Sequence, residues 1–399
     1  MWGYSIKCAH DMIVRNVHME NFRNHTCSNL EFGIGVNVLL GKNGQGKTNI
    51  LEAISCLSLT KSFYAASDAT LVQLGHEAFA VEGALADDAG IEHRVRVAYA
   101  KESGEKAFTI NGTRSERLSS VIGMFPVVIL SPENNAITFG PPSDRRRFID
   151  LLLSQLSRTY FEDLLEYRQV LRQRNRMLGE MKQNNNIRED VLEPWNRSLA
   201  GYGARIICKR GSFVDEFGEY VKLSYARLVE TGEEPDIQYA SVPKVDSYKN
   251  IDQSTENILG ELKKKQAEEC KKGISLVGPH RDDFVFYLNR VDLQKYASQG
   301  QHKTFLIALK MAEFRYLKEK KDETPILLLD DVLSELDDDR SRQLLEHVAE
   351  LGQTVITTTD ATPFRDTIDW GNEDRKYHVE QGICTQINIG TGKEAAIGA

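Results

Sequence analysis

Three short stretches hold residue types suited to phosphate chemistry. Gly41-Lys42-Asn43-Gly44-Gln45-Gly46-Lys47-Thr48 is a full match to GxxxxGK[ST], and Asn49 follows it. Glycines let such a loop curl until successive N–H groups point inward at phosphates; Lys47 then reaches the β/γ-phosphates and Thr48 ligates Mg²⁺. At ordinary glycine and lysine frequencies the pattern arises by chance in about one chain of this length in a hundred. The second stretch is Ile326 to Leu329 followed by Asp330 and Asp331. One carboxylate, Asp330, is placed to hold the metal, and Asp331 to polarise an attacking water, with Asp331 and Lys47 as the catalytic pair. The third is Ala297-Ser298-Gln299-Gly300-Gln301, small and amide-bearing residues leading into an amphipathic run, an arrangement that presents bare N–H groups and a hydroxyl to an anion.

These groups need rigid supports. Val36 to Leu40 reads as a buried strand before the first loop, and Asn49 to Leu57 as a helix after it. Alternation in "EHRVRVAYA" marks a strand, and Asn111-Gly112 in "FTINGTR" marks a hairpin turn. "FPVVILSPE" is another buried strand. From about 133 to 272 the spacing turns helical, with Ser143 as the expected N-cap of the first helix, a helix around Trp195 to Phe217, and a polar, proline-containing break at "ETGEEPDIQYASVPKVDSYKN".

The chain has 399 residues, enough for two or three domains. No apolar run is long enough to span a membrane, and the first residues lack a secretory apolar core. Met12 is an alternative start to Met1. Six scattered cysteines without a CxxC pair disfavour a disulfide framework or zinc site and fit a reducing cytoplasm. A net charge of −8 leaves room only for a local basic groove. Candidates for it are Arg145, Arg146 and Arg147, then Arg168, Arg172, Arg174 and Arg176, with Lys209-Arg210, Lys263 to Lys265 and Lys271-Lys272. The alternative is a solvated helix face, or pairing of Arg145 to Arg147 with acids in the same region. His280-Arg281-Asp282-Asp283 is poor in ligands for a closed metal site and reads as the start of a strand.

The "ASQGQ" run shortly before the Asp330 strand resembles the LSGGQ signature of ABC-type ATPases. That resemblance implies that Ser298, Gln299, Gly300 and Gln301 bind the γ-phosphate of a partner subunit, and that Ser334 to Asp337, "SELD", is the D-loop at the same interface, with Ser334 and Asp337 its named members. The roughly 250 residues between phosphate loop and signature are more than a transporter subunit carries, and no heptad run long enough for an SMC coiled coil is present. A metal-dependent nuclease domain of a defence-type ATPase would not fit in full.

The blocks "ENFRNH", "GKNGQGKTNILEAI", "LSPE", "PSDRRRFID", "YRQVLRQRN", "GPHRDDF", "ASQGQHKT", "LLLDDVLSELD" and "TVITTTD" together resemble the RecF family of recombination mediators. The segment after Ser62 departs from that pattern, with Phe63 and Tyr64 where a second basic residue is usual. The resemblance implies an α/β, ABC-type (SMC-like) P-loop ATPase head with an inserted, mainly helical arm domain and no long coiled coil. The expected division is an extension 1–12, a head half 13–132, an arm 133–272, a head half 273–389 and a flexible tail 390–399. It also implies ATP and Mg²⁺ as cofactors, an ATP-dependent homodimer, double-stranded DNA at gaps, RecR and RecO as partners in loading RecA, and weak ATPase activity.

Overall fold

The computed structural model describes residues 12–117, 120–184, 189–229, 232–245, 247–336, 338–349, 351–364, 367–368 and 370–387. The extension up to residue 11, the tail 390–399 and Asp337 lie outside the described residues. The chain forms two compact units: a head, up to Glu133 and again from Phe314, and an arm from Asn134 to Glu313.

The head begins with β1 (Ile13–Phe22), β2 (His25–Glu31), β3 (Val36–Leu40) and α1 (Lys47–Leu59). It continues with β4 (Ala78–Ala86), β5 (Glu92–Ala100), β6 (Lys106–Ile110), β7 (Thr113–Arg114) and β8 (Val127–Leu130). The antiparallel sheet runs β2-β1-β4-β5-β6-β7. Its β5 alternates, with Val95 and Val97 buried and Arg94 and Arg96 exposed, as expected for a sheet with one wet face. The Asn111-Gly112 turn joins β6 to β7, both residues at positive φ (50° and 77°), the geometry of a type I′ hairpin.

The arm holds α2 (Asn135–Phe139), α3 (Pro142–Leu156), α4 (Arg158–Asn184), α5 (Glu189–Ala226), β9 (Pro235–Ala240), α6 (Ile251–Lys272), β10 (Asp283–Leu288), β11 (Val291–Asp292), α7 (Leu293–Tyr296) and most of α8 (Gln299–Lys321). Helices α4, α5 and α6 pack together, with Leu178, Met181, Leu192 and Cys270 in one apolar cluster. The longest helix, α5, has 38 residues, about 57 Å at 1.5 Å per residue, far short of an SMC coiled coil. Three expectations change here. Helix α3 starts at Pro142 with Pro141 as its cap, so Ser143 lies inside the first turn; a proline at N1 already has the helical φ. The polar break contains strand β9, whose buried Ile237 pairs with Phe286 of β10. Because β10 forms its sheet with β9 and β11, residues 283–292 belong to the arm, and the return to the head falls within α8 rather than at 273.

Back in the head are β12 (Ile326–Asp330), α9 (Asp338–Ala349), β13 (Thr354–Thr358), β14 (Arg375–Glu380) and β15 (Ile383–Ile387). The second sheet runs β15-β14-β3-β13-β12-β8, parallel except for the β15 edge. Strands β3, β8, β12 and β13 are buried along their whole length, which is why each reads as a continuous apolar or small-residue run instead of alternating. Helix α1 packs against both sheets and is buried along most of its length.

Candidate nucleotide-binding site

Register in the parallel sheet decides where the chemistry assembles. Asp330 pairs with Thr357, and Thr357 with Leu39, so the carboxyl ends of β12, β13 and β3 lie side by side. Such a carboxyl edge is where open α/β sheets bind ligands. Beyond β3 the chain turns through Gly41, Gly44 and Gly46 into α1. Gly46 is the α1 cap at φ 110°, no side chain caps the helix, and its first turn carries no acid. A side chain at Gly46 would bring Cβ within 2.5 Å of Asn24 Oδ1, so this position is closed to larger residues.

Lys47 is buried, and its Nζ donates to the carbonyls of Gly41 (2.6 Å) and Lys42 (2.9 Å). Burial lowers the Lys47 pKa, while the carboxylates of Asp331 and Asp330 act in the opposite sense. Thr48 Oγ1 donates to Asp330 Oδ1 at 2.8 Å, and Thr357 Oγ1 donates to the same oxygen at 2.8 Å. Burial raises the Asp330 pKa, opposed by these two hydroxyl donors. Asp331 has a left-handed backbone, φ 49°, and its N–H donates to Thr357 Oγ1 at 2.8 Å. Among the described residues its buried Oδ1 has no hydrogen-bond partner. A buried carboxylate oxygen left unpaired is costly unless a ligand or ion satisfies it.

These donors suit a phosphate and a hard cation. Among the described residues no group of three His, Cys, Asp or Glu side chains could hold a metal. An ion at Thr48 and Asp330 would therefore take further ligands from phosphate and water, the usual habit of Mg²⁺. Ser334, expected in the D-loop, is exposed and donates to the Asp331 carbonyl at 2.8 Å.

Residues outside the phosphate motifs hold the loop from behind. Asn24 Nδ2 and Gly382 N donate to the Gln45 carbonyl, and His25 Nε2 donates to that of Gly46. "ENFRNH" is legible as a turn; its contact with residues 45 and 46 is not, because it depends on tertiary packing. Arg23 pairs with buried Glu52 at 2.8 Å, and Ser62 Oγ donates to the same carboxylate at 2.5 Å. Thus the departure after Ser62 leaves this serine anchored.

In the arm, Ser298 is the cap of α8: its Oγ accepts from Gln301 N (3.2 Å) while Gln301 Oε1 accepts from Ser298 N (2.9 Å). This is a reciprocal capping box. Ser298 and Gln299 are exposed, and Gly300 and Gln301 are half-buried, with Gln301 Nε2 donating to Glu233 at 2.7 Å.

The candidate arginines for DNA separate by burial, with Arg168 exposed and 3.4 Å from Asp150. Arg147, Arg172 and Arg176 are exposed, Arg176 beside Glu180 at 3.1 Å. Arg146 is half-buried and donates to the Asp282 carbonyl. Arg145 and Arg174 are corrections. Arg145 is buried in a two-bond pair with Asp283, and Arg174 is fully buried on Glu269, Asn196 and Ser275. Two residues along a helix from Arg172 and Arg176, Arg174 faces inward. Arg210 is likewise buried, on Asp150 and Asp282. His280 to Asp283 carry this internal network, as the strand-start reading expects: His280 Nδ1 accepts from Tyr167 and Asp282 accepts from Tyr239 and Arg210.

The family described as RecF/RecN/SMC N terminal domain matches residues 13–381. A DNA replication and repair protein RecF from Chloroherpeton thalassium is 40% identical across 92% of this chain and 98% of its own. Its counterpart from Salinibacter ruber is 37% identical across 90% and 87%. The solved recombination mediator protein RecF-ATP in the RecFOR pathway superposes with TM-score 0.86 at 34% identity, covering 96% of this chain and all of the other. An Smc head domain from Pyrococcus furiosus, at 13% identity and TM-score 0.54, shares the fold. No described helix is long and apolar enough to cross a membrane.

Proposed function

The chain belongs to the RecF family, and from that premise we propose that it is an ATP-operated clamp on duplex DNA, acting in replication and repair. The observation that carries this reading is the set of groups at one sheet edge: Lys47, the Thr48–Asp330 pair and the unpartnered oxygen of Asp331. When bound, ATP supplies a hydrolysable phosphoanhydride and Mg²⁺ neutralises its charge. The loop Gly41 to Asn49 would bind the phosphates through N–H groups and the Lys47 ammonium. Thr48 and Asp330 would hold the ion. Asp331 would orient a water and take its proton, with Thr357 fixing the Asp331 backbone.

The exposed Ser298 and Gln299, with the Gly300 and Gln301 N–H groups, would close over the nucleotide of a second copy, with Ser334 and Asp337 at that interface. ATP then favours the closed dimer by its differential affinity for it. Exposed Arg147, Arg172 and Arg176, with half-buried Arg146, would bind phosphates of duplex DNA at gaps. The family, and the RecFOR pathway named for the solved relative, support RecR and RecO as partners, RecA loading and a cytoplasmic setting.

Sedimentation of the wild type and Ser298→Arg with Mg²⁺-ATP, with and without gapped duplex, tests this. The expected result is a nucleotide-dependent dimer that retains DNA and that Ser298→Arg abolishes. A monomer under every condition would remove the closure in trans.

A further inference from the structure

The phosphate loop is gripped by two hairpin turns from opposite ends of the chain. The Gln45 carbonyl accepts from Asn24 Nδ2 (3.0 Å), in the β1–β2 turn, and from Gly382 N (2.9 Å), in the β14–β15 turn. The Gln45 side chain repeats the link, its Oε1 accepting from Gln381 N at 2.7 Å. The next carbonyl, Gly46, accepts from Nε2 of fully buried His25 (3.0 Å) and from Asn49 N (3.1 Å). A carbonyl only accepts, so Nε2 is the donor in this contact. The two hairpins are also tied to each other: Ser28 Oγ, in β2, donates to the Gly382 carbonyl at 2.8 Å and lies 2.8 Å from His25 Nδ1. Gly382 sits at φ 79°, and a Cβ there would fall 2.3 Å from the Asn24 carbonyl, so only glycine fits this approach.

A trans peptide is planar, and its N–H points opposite to its C=O. Fixing the Gln45 carbonyl outward therefore fixes the Gly46 N–H the other way, and fixing the Gly46 carbonyl does the same for the Lys47 N–H. Each glycine would otherwise leave the flanking peptide free to rotate.

We infer that Asn24, His25 and the Gln381-Gly382 turn are positioning residues that aim the Gly46 and Lys47 N–H donors at bound phosphate. This deepens, and rests on, the nucleotide-site reading above. It gives the carboxyl-terminal hairpin a part in nucleotide affinity although no phosphate-binding motif lies in it.

The test is titration of a fluorescent methylanthraniloyl-ATP with Mg²⁺ into wild type, Asn24→Ala, His25→Ala, His25→Gln and Lys47→Ala, alongside thermal melts without nucleotide. Asn24→Ala and His25→Ala are each expected to weaken binding roughly tenfold, with melts near wild type. His25→Gln keeps a side-chain N–H donor and is expected to recover most of the loss, which a purely structural role would not predict. Should an alanine variant unfold, Asn24→Asp, of equal size but lacking the donor, replaces it. Wild-type affinity in the Asn24 and His25 variants, with binding lost in Lys47→Ala, overturns the aiming role alone. Wild-type affinity in Lys47→Ala overturns the nucleotide site itself.

Discussion

The core of the arm and the phosphate edge of the head treat buried charge in opposite ways. In the arm, the fully buried Arg174 and Glu269 meet at 2.5 Å, with Asn196 and Ser275 on the remaining guanidinium donors. Arg210 is enclosed by Asp150, Asp282 and the Pro279 carbonyl. At the carboxyl edge of the head's parallel sheet, among the described residues, Asp330 accepts from hydroxyls and Asp331 keeps a buried oxygen without a partner, while Lys47 is held by neutral carbonyls; Glu52 of the head, by contrast, is paired with Arg23. Paired charges fix a fold; charges held short of pairing are poised for something that arrives later. The same residue types thus serve structure where they are paired and stand open to a ligand where they are not, and burial with partners separates the two better than motif does.

The comparison breaks most severely if an arm pair proves dispensable. Arg174→Met strands the Glu269 carboxylate and is expected to lose about 3–5 kcal/mol of unfolding free energy, read by urea denaturation, with nucleotide affinity retained. A loss below about 1 kcal/mol would show that the network is not holding the arm. Restoring neutrality with Glu269→Leu in the Arg174→Met background should recover much of the deficit.

Next in size is a pH effect in the arm. Burial pushes the His280 pKa down to about 4, against a backbone acceptor at Ser275 that acts the other way. Folding therefore favours the neutral ring, and the contribution is complete above the ordinary histidine range and is lost as pH falls toward about 4. The full shift corresponds to a contribution on the order of 3 kcal/mol. Stability measured between neutral pH and that lower limit should fall in wild type and stay flatter in His280→Gln. Parallel curves would remove His280 from the account.

The smallest effect is in the head and has the opposite sign. Burial holds the Asp330 pKa above its unfolded value, so its contribution is present below the ordinary carboxylate range and lost as pH rises through the folded value. Asp330→Asn should thus raise the melting midpoint slightly at neutral pH, with no gain in acid, and should lose the stabilisation expected from Mg²⁺-ATP in wild type. A lowered midpoint at neutral pH would mean that Asp330 is structural, like the arm's acids.

Much of the head is legible from local pattern. The glycine spacing at 41–46, the apolar runs of β3 and β12 and the Asn111-Gly112 turn are each set within a few residues, by φ preference and continuous burial. The pairing of Thr48 with Asp330 is implied by motif chemistry and is realised across 282 positions of sequence. The helical character of the arm is equally legible, but β9 is not: Ile237 and Tyr239 alternate with Asp236 and Gln238 over only six residues that open on Pro235 inside a polar stretch, too short a run to mark a strand until β10 is beside it. The basic residues are legible only as a composition. Arg172 and Arg174 are the same residue type two positions apart, and only packing against Glu269, Asn196 and Ser275 turns one inward.

Sequence by itself therefore determined which residues could cradle a phosphate, since that depends on backbone freedom and side-chain chemistry over a handful of neighbours. Tertiary structure alone decided which charges remain available and what aims the loop. Both depend on partners hundreds of positions away, such as Gly382 against Gln45, whose meeting is fixed by sheet register and not by any local preference.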